Sequence, residues 1–278
     1  MATPEKCPTA EMKNIVVATD GSEYSENAVR ESIQWAKQFG ATLHAVCTSQ
    51  VSLGQLQYAA EVVSEIDKAA RQACDTAKAS AQAAGVNCET IVHEGEEPYI
   101  HIVEAAEKLH ADAIIVGRRG RRGLLKLLMG SVTHLVIGHA PCNVFVVPRT
   151  GRLKAQRLLV ATDGSPDSEH AAMQAISLAK LSKGSIVICS VVHDVTTDKS
   201  AVENVENIKR IASDEQVEAE TVVRQGAAYE EIISAAQENN ADLIVMGSHG
   251  RTGLKKILMG SVTERVIGMS DRSLMIVR

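Results

Sequence analysis

Short runs of aliphatic and β-branched residues recur along the chain, each followed by a segment with apolar residues at helical spacing. Runs without polar alternation are typical of strands that are buried on both faces. The alternation of strand and helix predicts a parallel sheet covered by helices on both sides, which is a doubly wound α/β fold. The predicted strands are residues 15–19, 43–48, 89–93, 113–116 and 143–147, and in the second half 185–192, 219–224, 243–246 and 274–277.

Polar and turn-forming residues mark where the helices between these strands begin. Ser22 is the expected N-cap of a helix that extends to about Phe39, and Ser165 followed by Pro166 is the corresponding start in the second half. Further helices are predicted for residues 55–84 and 199–213, from Pro98, near Ala228, and from Ser131 and Ser261.

The chain repeats itself. Val-Ala-Thr-Asp-Gly-Ser at residues 17–22 recurs unchanged at 160–165, and residues 117–138 share 15 of 22 positions with residues 247–268. Repeats this long are whole domains rather than short solenoid units. We therefore expect a tail at 1–12, a first domain at 13–148, a linker at 149–156 and a second domain at 157–278, each domain with a five-stranded sheet.

The two repeated motifs both follow strands, so the fold brings them to the same edge of each sheet, where ligands of such sheets bind. The second motif spaces Gly117, Gly120 and Gly130 as G-x2-G-x9-G and ends at Ser131, where a helix begins. Backbone N–H groups of a glycine loop and a helix N-terminus together favour an anion such as phosphate. The alternative is that the glycines form only a turn and a cap. The loop is neither a Walker P-loop nor a GxGxxG dinucleotide motif.

These motifs together resemble the universal stress protein family, as two fused domains of its ATP-binding branch covering residues 12–147 and 157–278. The resemblance implies a Rossmann-like fold that binds ATP or AMP, with or without Mg²⁺, at one site per domain. It places Asp20 and Asp163 near the nucleoside, and a backbone contact to adenine at Thr48 and Val191. It assigns ribose and phosphates to Gly117, Gly120, Gly130, Ser131, Val132, Gly247, Gly250, Gly260, Ser261 and Val262. The implied sites are completed by Ala18, Val116, Ala161 and Met246.

The second domain departs from the family pattern at its last turn. Residues 139–143 read His-Ala-Pro-Cys-Asn, close to the family's sequence, whereas residues 269–273 read Met-Ser-Asp-Arg-Ser. The family resemblance also implies an antiparallel contact between the final strands, so that the two domains form a pseudo-dimer within one chain. Homodimerisation and a protein partner are left open.

Composition excludes several other function classes. Aromatic residues are 3% of the chain and the formal net charge is −5, which argues against nucleic-acid binding. No apolar run is long enough for a membrane span, and the first residues lack the apolar centre of a signal peptide, so we expect a cytoplasmic protein. The six cysteines are scattered without a CxxC pair, and we expect buried, reduced thiols. No histidine spacing indicates a metal site.

Three functions remain open at this point. The first is an adenine-nucleotide-binding stress-response or regulatory protein with little or no hydrolysis and no catalytic residue. The second is a slow ATPase or a nucleotidyl or phosphoryl transferase, and the third is an interaction scaffold that binds nothing. Asp20 and Asp163 could also serve only as helix caps. His249 is not expected to be catalytic, because Arg119 occupies its place in the first repeat.

Overall fold

The computed structural model describes residues 12–49, 60–120, 129–192, 199–250 and 259–278. The chain divides into two compact units, a first unit at Met12–Leu153 and a second unit that includes Lys154–Arg278. Each unit is an alternation of strands and helices around a parallel sheet, and each is described by itself.

In the first unit, five parallel strands alternate with four helices over the described residues. Their bounds are β1 Asn14–Ala18, α1 Glu23–Phe39, β2 Thr42–Ser49, α2 Ala60–Ala83, β3 Cys88–Glu94, α3 Pro98–Lys108, β4 Ala113–Gly117, α4 Ser131–His139 and β5 Asn143–Val147. The strand order is β3-β2-β1-β4-β5. Successive strands are added on one side of β1 up to β3 and then on its other side from β4 onward. This change of side between β1 and β4 creates the crevice at the carboxyl edge in which doubly wound folds bind ligands.

The second unit repeats this architecture. Its elements are β6 Arg157–Ala161, α5 Pro166–Ser182, β7 Ser185–Val192, α6 Lys199–Asp214, β8 Ala219–Gln225, α7 Ala228–Glu238, β9 Leu243–Gly247, α8 Ser261–Met269 and β10 Ser273–Val277. The strand order is β8-β7-β6-β9-β10, with parallel pairing throughout the unit.

The core of each unit is formed by central strands that are apolar on both faces. All five residues of β4 and all five of β9 are buried, as a strand covered by helices on both sides requires. Trp35 on α1 is fully buried, and its ring centroid lies 5.3 Å from that of Phe145 on β5. The predicted fold class of two five-stranded, doubly wound domains is confirmed. Element bounds agree within one or two residues, except that the predicted residues 55–59 lie outside the described part of the chain.

The segment predicted as a linker is bonded to the helix beside it at each end. The buried Asn27 side chain donates to the carbonyl oxygens of Pro148 (2.6 Å) and Gly151 (2.8 Å). The buried Glu31 accepts from the N–H of Leu153 at 2.9 Å. In the second unit, the hydroxyl of Ser182 donates to the carbonyl oxygen of Ala155 at 2.5 Å.

The last turn has the same backbone in both units despite its different sequence. The C-cap residue that follows α4 is Ala140 (φ −58°, ψ 139°), and the one that follows α8 is Ser270 (φ −67°, ψ 142°). Each of these residues is buried and donates its N–H to the carbonyl of the valine four residues before it. In the second unit, the Ser270 hydroxyl also accepts from the N–H of Arg272 at 3.0 Å. The departure from the family sequence therefore leaves the turn intact.

Among the described residues, no helix is both long and apolar enough to cross a membrane.

Candidate functional site

The Asp-Gly-Ser turn after β1 is held together by side chains. One carboxylate oxygen of Asp20, Oδ1, accepts from the N–H of Ser22 (3.0 Å) and from the hydroxyls of Ser22 (2.6 Å) and Ser25 (2.8 Å). Gly21 adopts φ +71°, a left-handed conformation in which a side chain would be strained. The local hydrogen bonds of Asp20 and the left-handed conformation of Gly21 therefore form the turn, and the strand ends here.

Ser22 lies at the N-cap position of α1 but does not act as the predicted cap, because its side chain accepts no hydrogen bond from the helix. Its hydroxyl donates to Oδ1 of Asp20 at 2.6 Å instead, and the rotamer that makes this bond does not place the oxygen on a helix N–H. In the second unit the prediction is confirmed: the Ser165 hydroxyl accepts from the N–H of Ser168 at 3.3 Å.

The glycine loop after β4 lies against Asp20, although the two segments are about 100 residues apart in the sequence. A Cβ placed on Gly120 would lie 2.6 Å from Oδ2 of Asp20, and one on Gly130 would lie 3.7 Å from the N of Gly120. The N–H of Gly130 donates to the carbonyl oxygen of Arg118 at 2.9 Å and closes the loop. The fold therefore brings Asp20, Gly120 and Gly130 together, as the sequence predicted.

Gly117, the first glycine of the loop, lies where the end of β4 meets the start of α1. A Cβ at this position would lie 2.8 Å from the carbonyl oxygen of Tyr24, so only glycine allows the helix to approach this closely. Its carbonyl oxygen accepts from the hydroxyl of Thr133 at 2.8 Å. Thr133 belongs to the first turn of α4, so this bond fixes the start of that helix relative to the strand.

Helix α4 presents its first turn to the loop. Gly130 is the N-cap residue, and no side chain caps this end of the helix among the described residues. Ser131 is exposed, Val132 is half-buried, and the first backbone bond within the helix runs from the N–H of His134 to Gly130. The N-terminal N–H groups and the helix dipole therefore point toward the same edge of the sheet as Asp20.

The second unit reproduces this geometry closely. Oδ1 of Asp163 accepts from the N–H of Ser165 at 3.0 Å, and a Cβ on Gly250 would lie 2.5 Å from Oδ2 of Asp163. The N–H of Gly260 donates to the carbonyl of Ser248 at 2.8 Å. Ser261 and Val262 begin α8, again without a side-chain cap among the residues described. The same arrangement therefore occurs in both repeats.

The remaining predicted site residues lie on the strands beside the crevice. Ala18 pairs with Val46 on β2, and Val116 pairs with Val146 on β5. Ala161 pairs with Cys189, and Met246 pairs with Ile276. Each is the last or next-to-last residue of its strand, so each lies at the carboxyl edge as predicted.

The two sites differ at the end of the second strand of each unit. Thr48 has a buried hydroxyl with no hydrogen-bond partner among the described residues, and its counterpart is Val191. They also differ in the loop, where Arg118 and Arg119 in the first unit correspond to Ser248 and His249 in the second. Nδ1 of His249 lies 3.1 Å from the hydroxyl of Ser248 and 3.7 Å from Oδ2 of Asp167.

Two pairs of positioning residues were not predicted from the sequence. Thr133 and Thr263 each donate to the first glycine of their loop, the latter at 3.1 Å to the carbonyl of Gly247. Ser25 and Ser168 each bond to the threonine that follows the first strand of their unit, Thr19 and Thr162, in both cases at 3.1 Å. All four occupy equivalent places in the two repeats, and this recurrence was the signal that could have identified them.

Comparison with known proteins identifies the family. Its sequence model, described as the universal stress protein family, matches residues 11–148 and 154–278. The chain belongs to the universal stress protein family. The two matches correspond to the two units, so the predicted tandem arrangement of universal stress protein domains is confirmed.

Individual relatives match this chain over about half of its length or over nearly all of it. Universal stress protein MJ0531 of Methanocaldococcus jannaschii is 39% identical over 141 residues, which is 49% of this chain and 82% of that protein. Universal stress protein Slr1230 of a Synechocystis strain is 24% identical over 92% of this chain and 96% of its own length. The crystal structure of a universal stress protein from Archaeoglobus fulgidus aligns with a TM-score of 0.77, at 23% identity, over 95% of this chain and 98% of that one. This last likeness supports the fold alone.

Proposed function

We propose that each unit of this universal stress protein binds one adenine nucleotide, ATP or AMP, at the carboxyl edge of its sheet. The observation that carries the proposal is the packing of a carboxylate against the glycine loop, Asp20 on Gly120 and Asp163 on Gly250. In each unit this contact places a carboxylate, which can accept hydrogen bonds from hydroxyl groups, beside backbone N–H groups that can donate to phosphate.

The two carboxylate oxygens of each Asp would have different roles. Oδ1 stabilises the turn, through the bonds to Ser22 in the first unit and Ser165 in the second. Oδ2 faces the loop glycine. A carboxylate in this place suits the hydroxyls of a ribose, for which it is a strong acceptor. The same aspartate side chain can therefore stabilise the turn through Oδ1 and bind a ligand through Oδ2.

The phosphates would be held by the backbone of the loop and by the first turns of α4 and α8, through Gly130, Ser131, Gly260 and Ser261. The absence of a side-chain cap at both helix starts, among the residues described, leaves these N–H groups for a ligand. No group of three or more metal-ligating side chains occurs in the described ranges. Mg²⁺ bound with the nucleotide would therefore take most of its oxygen ligands from phosphate and water.

Isothermal titration calorimetry tests the proposal. ATP or AMP added to the full chain is expected to bind with a stoichiometry close to two. Gly130→Glu and Gly260→Glu each place a carboxylate at a phosphate position, and each is expected to remove one site and leave the other. Two intact sites in the double variant, with circular dichroism showing a folded chain, would refute the proposal.

We further propose that hydrolysis of bound ATP is slow, with a turnover of minutes or longer. Phosphoryl transfer needs a base or positioned water and cations on the transferred phosphate. The sequence provides no acid–base pair that both repeats share, and His249 is replaced by Arg119 in the first unit. A turnover near the enzyme median of about 10 s⁻¹ would contradict this and favour the ATPase or transferase alternative. Loss of that turnover in Asp20→Asn and Asp163→Asn would assign it to these sites.

A further inference from the structure

Three cysteines from three different elements of the first unit meet on one face of its sheet. Cys47 lies on β2, Cys74 on α2 and Cys88 on β3, and their exposed fractions are 3%, 1% and 4%. The strand register pairs Cys47 with Val92 and Leu43 with Cys88. Side chains of parallel neighbours at the same register point to the same face, so both strand cysteines project toward α2.

Cys74 approaches the sheet beside Cys47. Its sulfur lies 3.4 Å from the carbonyl oxygen of Ala45 and 3.7 Å from that of Ile91. Along an extended strand, the carbonyl of residue 45 lies between the side chains of residues 45 and 47. This position brings the Cys74 thiol close enough to interact with the Cys47 thiol. Small buried residues, Ala70 and Ala77, flank Cys74 by one turn on each side and allow the helix to come this close.

The cysteines differ in how readily they lose a proton. The interaction with the Cys47 thiol lowers the pKa of Cys74 and outweighs the opposite effect of burial. Burial raises the pKa of Cys88, and it raises the pKa of Cys142 and Cys189 to about 12. Because the thiolate is the form that reacts with oxidants, Cys74 is the best nucleophile of these four.

We propose that Cys47 and Cys74 are an oxidisable pair that forms an intramolecular disulfide, with hydrogen peroxide as the oxidant. The Cys74 thiolate attacks a peroxide oxygen, the O–O bond breaks, and a sulfenic acid and water form after one proton is taken up. Cys47 then attacks the Cys74 sulfur, the S–S bond forms, the S–O bond breaks, and a second water leaves. Two thiols are oxidised, and hydrogen peroxide is reduced to two waters. The step involves no nucleotide and is independent of the proposed nucleotide binding.

The second unit contains the same packing without thiols. Its register places Ser190 and Ala219 where the first unit has Cys47 and Cys88. Val86 and Val217 each donate an N–H to the alanine five residues before, Ala81 and Ala212. Counting back seven residues from these alanines aligns Cys74 with Val205, which is also buried. The core at this place therefore does not require cysteine, and the second unit supplies a matched residue for each substitution.

Peptide mapping after exposure to hydrogen peroxide tests the pair. Trypsin cleavage after Lys68, Arg71 and Lys78 places the three cysteines on three different peptides. The reduced full chain, at low micromolar concentration, is treated for minutes to hours, unfolded, alkylated and digested without reductant. Burial makes the reaction slow, because α2 must open for the oxidant to enter, so a time course is needed. Non-reducing electrophoresis separates intramolecular from intermolecular disulfides.

The expected product is a peptide pair joined through Cys47 and Cys74, and the number of thiols that can be alkylated falls from six to four per chain. Cys88→Ala should retain this product, whereas Cys47→Ser and Cys74→Val should lose it. Recovery of both cysteines in alkylated form after hours in excess peroxide would overturn the proposal. So would a disulfide from Cys74 to Cys88. Both results come from the wild-type chain and do not depend on whether a variant folds.

Discussion

The aspartate after the first strand is the residue in which local structure and the candidate site meet. In each unit one carboxylate oxygen is bonded within the Asp-Gly-Ser turn, and the other lies against a glycine of the distant loop. The turn fixes the side chain before any ligand arrives. An acceptor held in one rotamer loses little conformational entropy on binding, which favours affinity.

A methyl group at the loop glycine is expected to disturb this contact. In Gly250→Ala the new Cβ would lie 2.5 Å from Oδ2 of Asp163, so the carboxylate has to move. We expect the affinity of the second site for ATP to fall by about tenfold or more, equivalent to about 1.4 kcal/mol. The first site is the internal control and should be unchanged in the same titration. An ATP affinity of the second site that is equal in variant and wild type would show that nucleotide binding does not depend on the position of the Asp163 carboxylate.

The loop arginines are expected to make the first site prefer more highly charged nucleotides. Arg118 and Arg119 correspond to Ser248 and His249, and guanidinium groups form strong charge-assisted bonds with phosphate. Arg121 and Arg122 and their counterparts Arg251 and Thr252 belong to the same prediction but lie outside the described residues. The alternative is that these side chains only face solvent.

The test exchanges the described pair for the residues of the second repeat. In Arg118→Ser/Arg119→His, combined with Gly260→Glu to leave one site, the ratio of ATP to AMP affinity is expected to fall severalfold. The Gly260→Glu single variant is the reference, and its ratio should shrink as salt is added. An unchanged ratio at low salt would mean that these arginines do not contact phosphate.

At the scale of elements, most of the fold could be predicted because the central strands, such as β4 and β9, are uninterrupted apolar runs between turn residues. β5 and β7 have the predicted bounds, and α4 and α8 begin at the predicted serines. The meeting of the two motifs could also be predicted, since both follow strands of one parallel sheet. The last turn shows the limit of sequence similarity: Ala140 and Ser270 adopt one backbone conformation in different sequences.

Features that depend on side-chain competition or on distant packing could not be predicted. Ser22 does not cap its helix because its hydroxyl is turned toward Asp20, to which it donates a hydrogen bond, and propensity scales do not contain such local side-chain contacts. The contact between Cys47 and Cys74 depends on the depth to which α2 packs on the sheet. The spacing of cysteines in the sequence carries no information about that depth.

Acid is expected to destabilise the first unit through a histidine in its second strand. His44 on β2 is 4% exposed, with Asn14 on one ring nitrogen and Glu89 on the other, each at 3.4 Å. Burial lowers the pKa of His44 below 6.5, and Glu89 opposes the shift without reversing it. The unfolded chain therefore binds more protons than the folded one as the pH falls through 6.5 toward the folded pKa, and stability is lost over that interval.

The second repeat again supplies the control, because Val187 occupies the position of His44. Thermal unfolding followed by calorimetry should show a lower Tm at pH 5 than at pH 7 in the wild type. His44→Val should show a smaller decrease, since its folded and unfolded states no longer differ in proton binding at this position. His93, whose pKa is also lowered, remains in the variant, so part of the decrease in Tm between pH 7 and pH 5 should persist. An identical decrease in both proteins would exclude His44 as a cause.

At the scale of the whole molecule, the two units are copies that have diverged at defined positions. The glycines and aspartates of the candidate sites are retained in both, whereas Arg118, Arg119, Thr48, His44 and the three clustered cysteines are replaced by other residue types in the second. Under these proposals both units bind nucleotide. The preference for more highly charged nucleotides, the loss of stability through His44 in acid and the formation of a disulfide with peroxide all belong to the first unit.

The bonds that hold the predicted linker have a consequence for proteolysis. Arg149, Arg152 and Lys154 are exposed and offer trypsin three cleavage sites in six residues. A protease must draw a stretch of extended backbone into its cleft, and here Asn27, Glu31 and Ser182 hold the backbone on both sides of these residues. Trypsin should therefore cleave the native wild-type chain slowly within residues 149–154. Asn27→Ala should be cleaved there faster than the wild type and yield two fragments of about half the chain length. Cleavage of the wild type in this segment within minutes would show that these bonds open readily and give the backbone no protection.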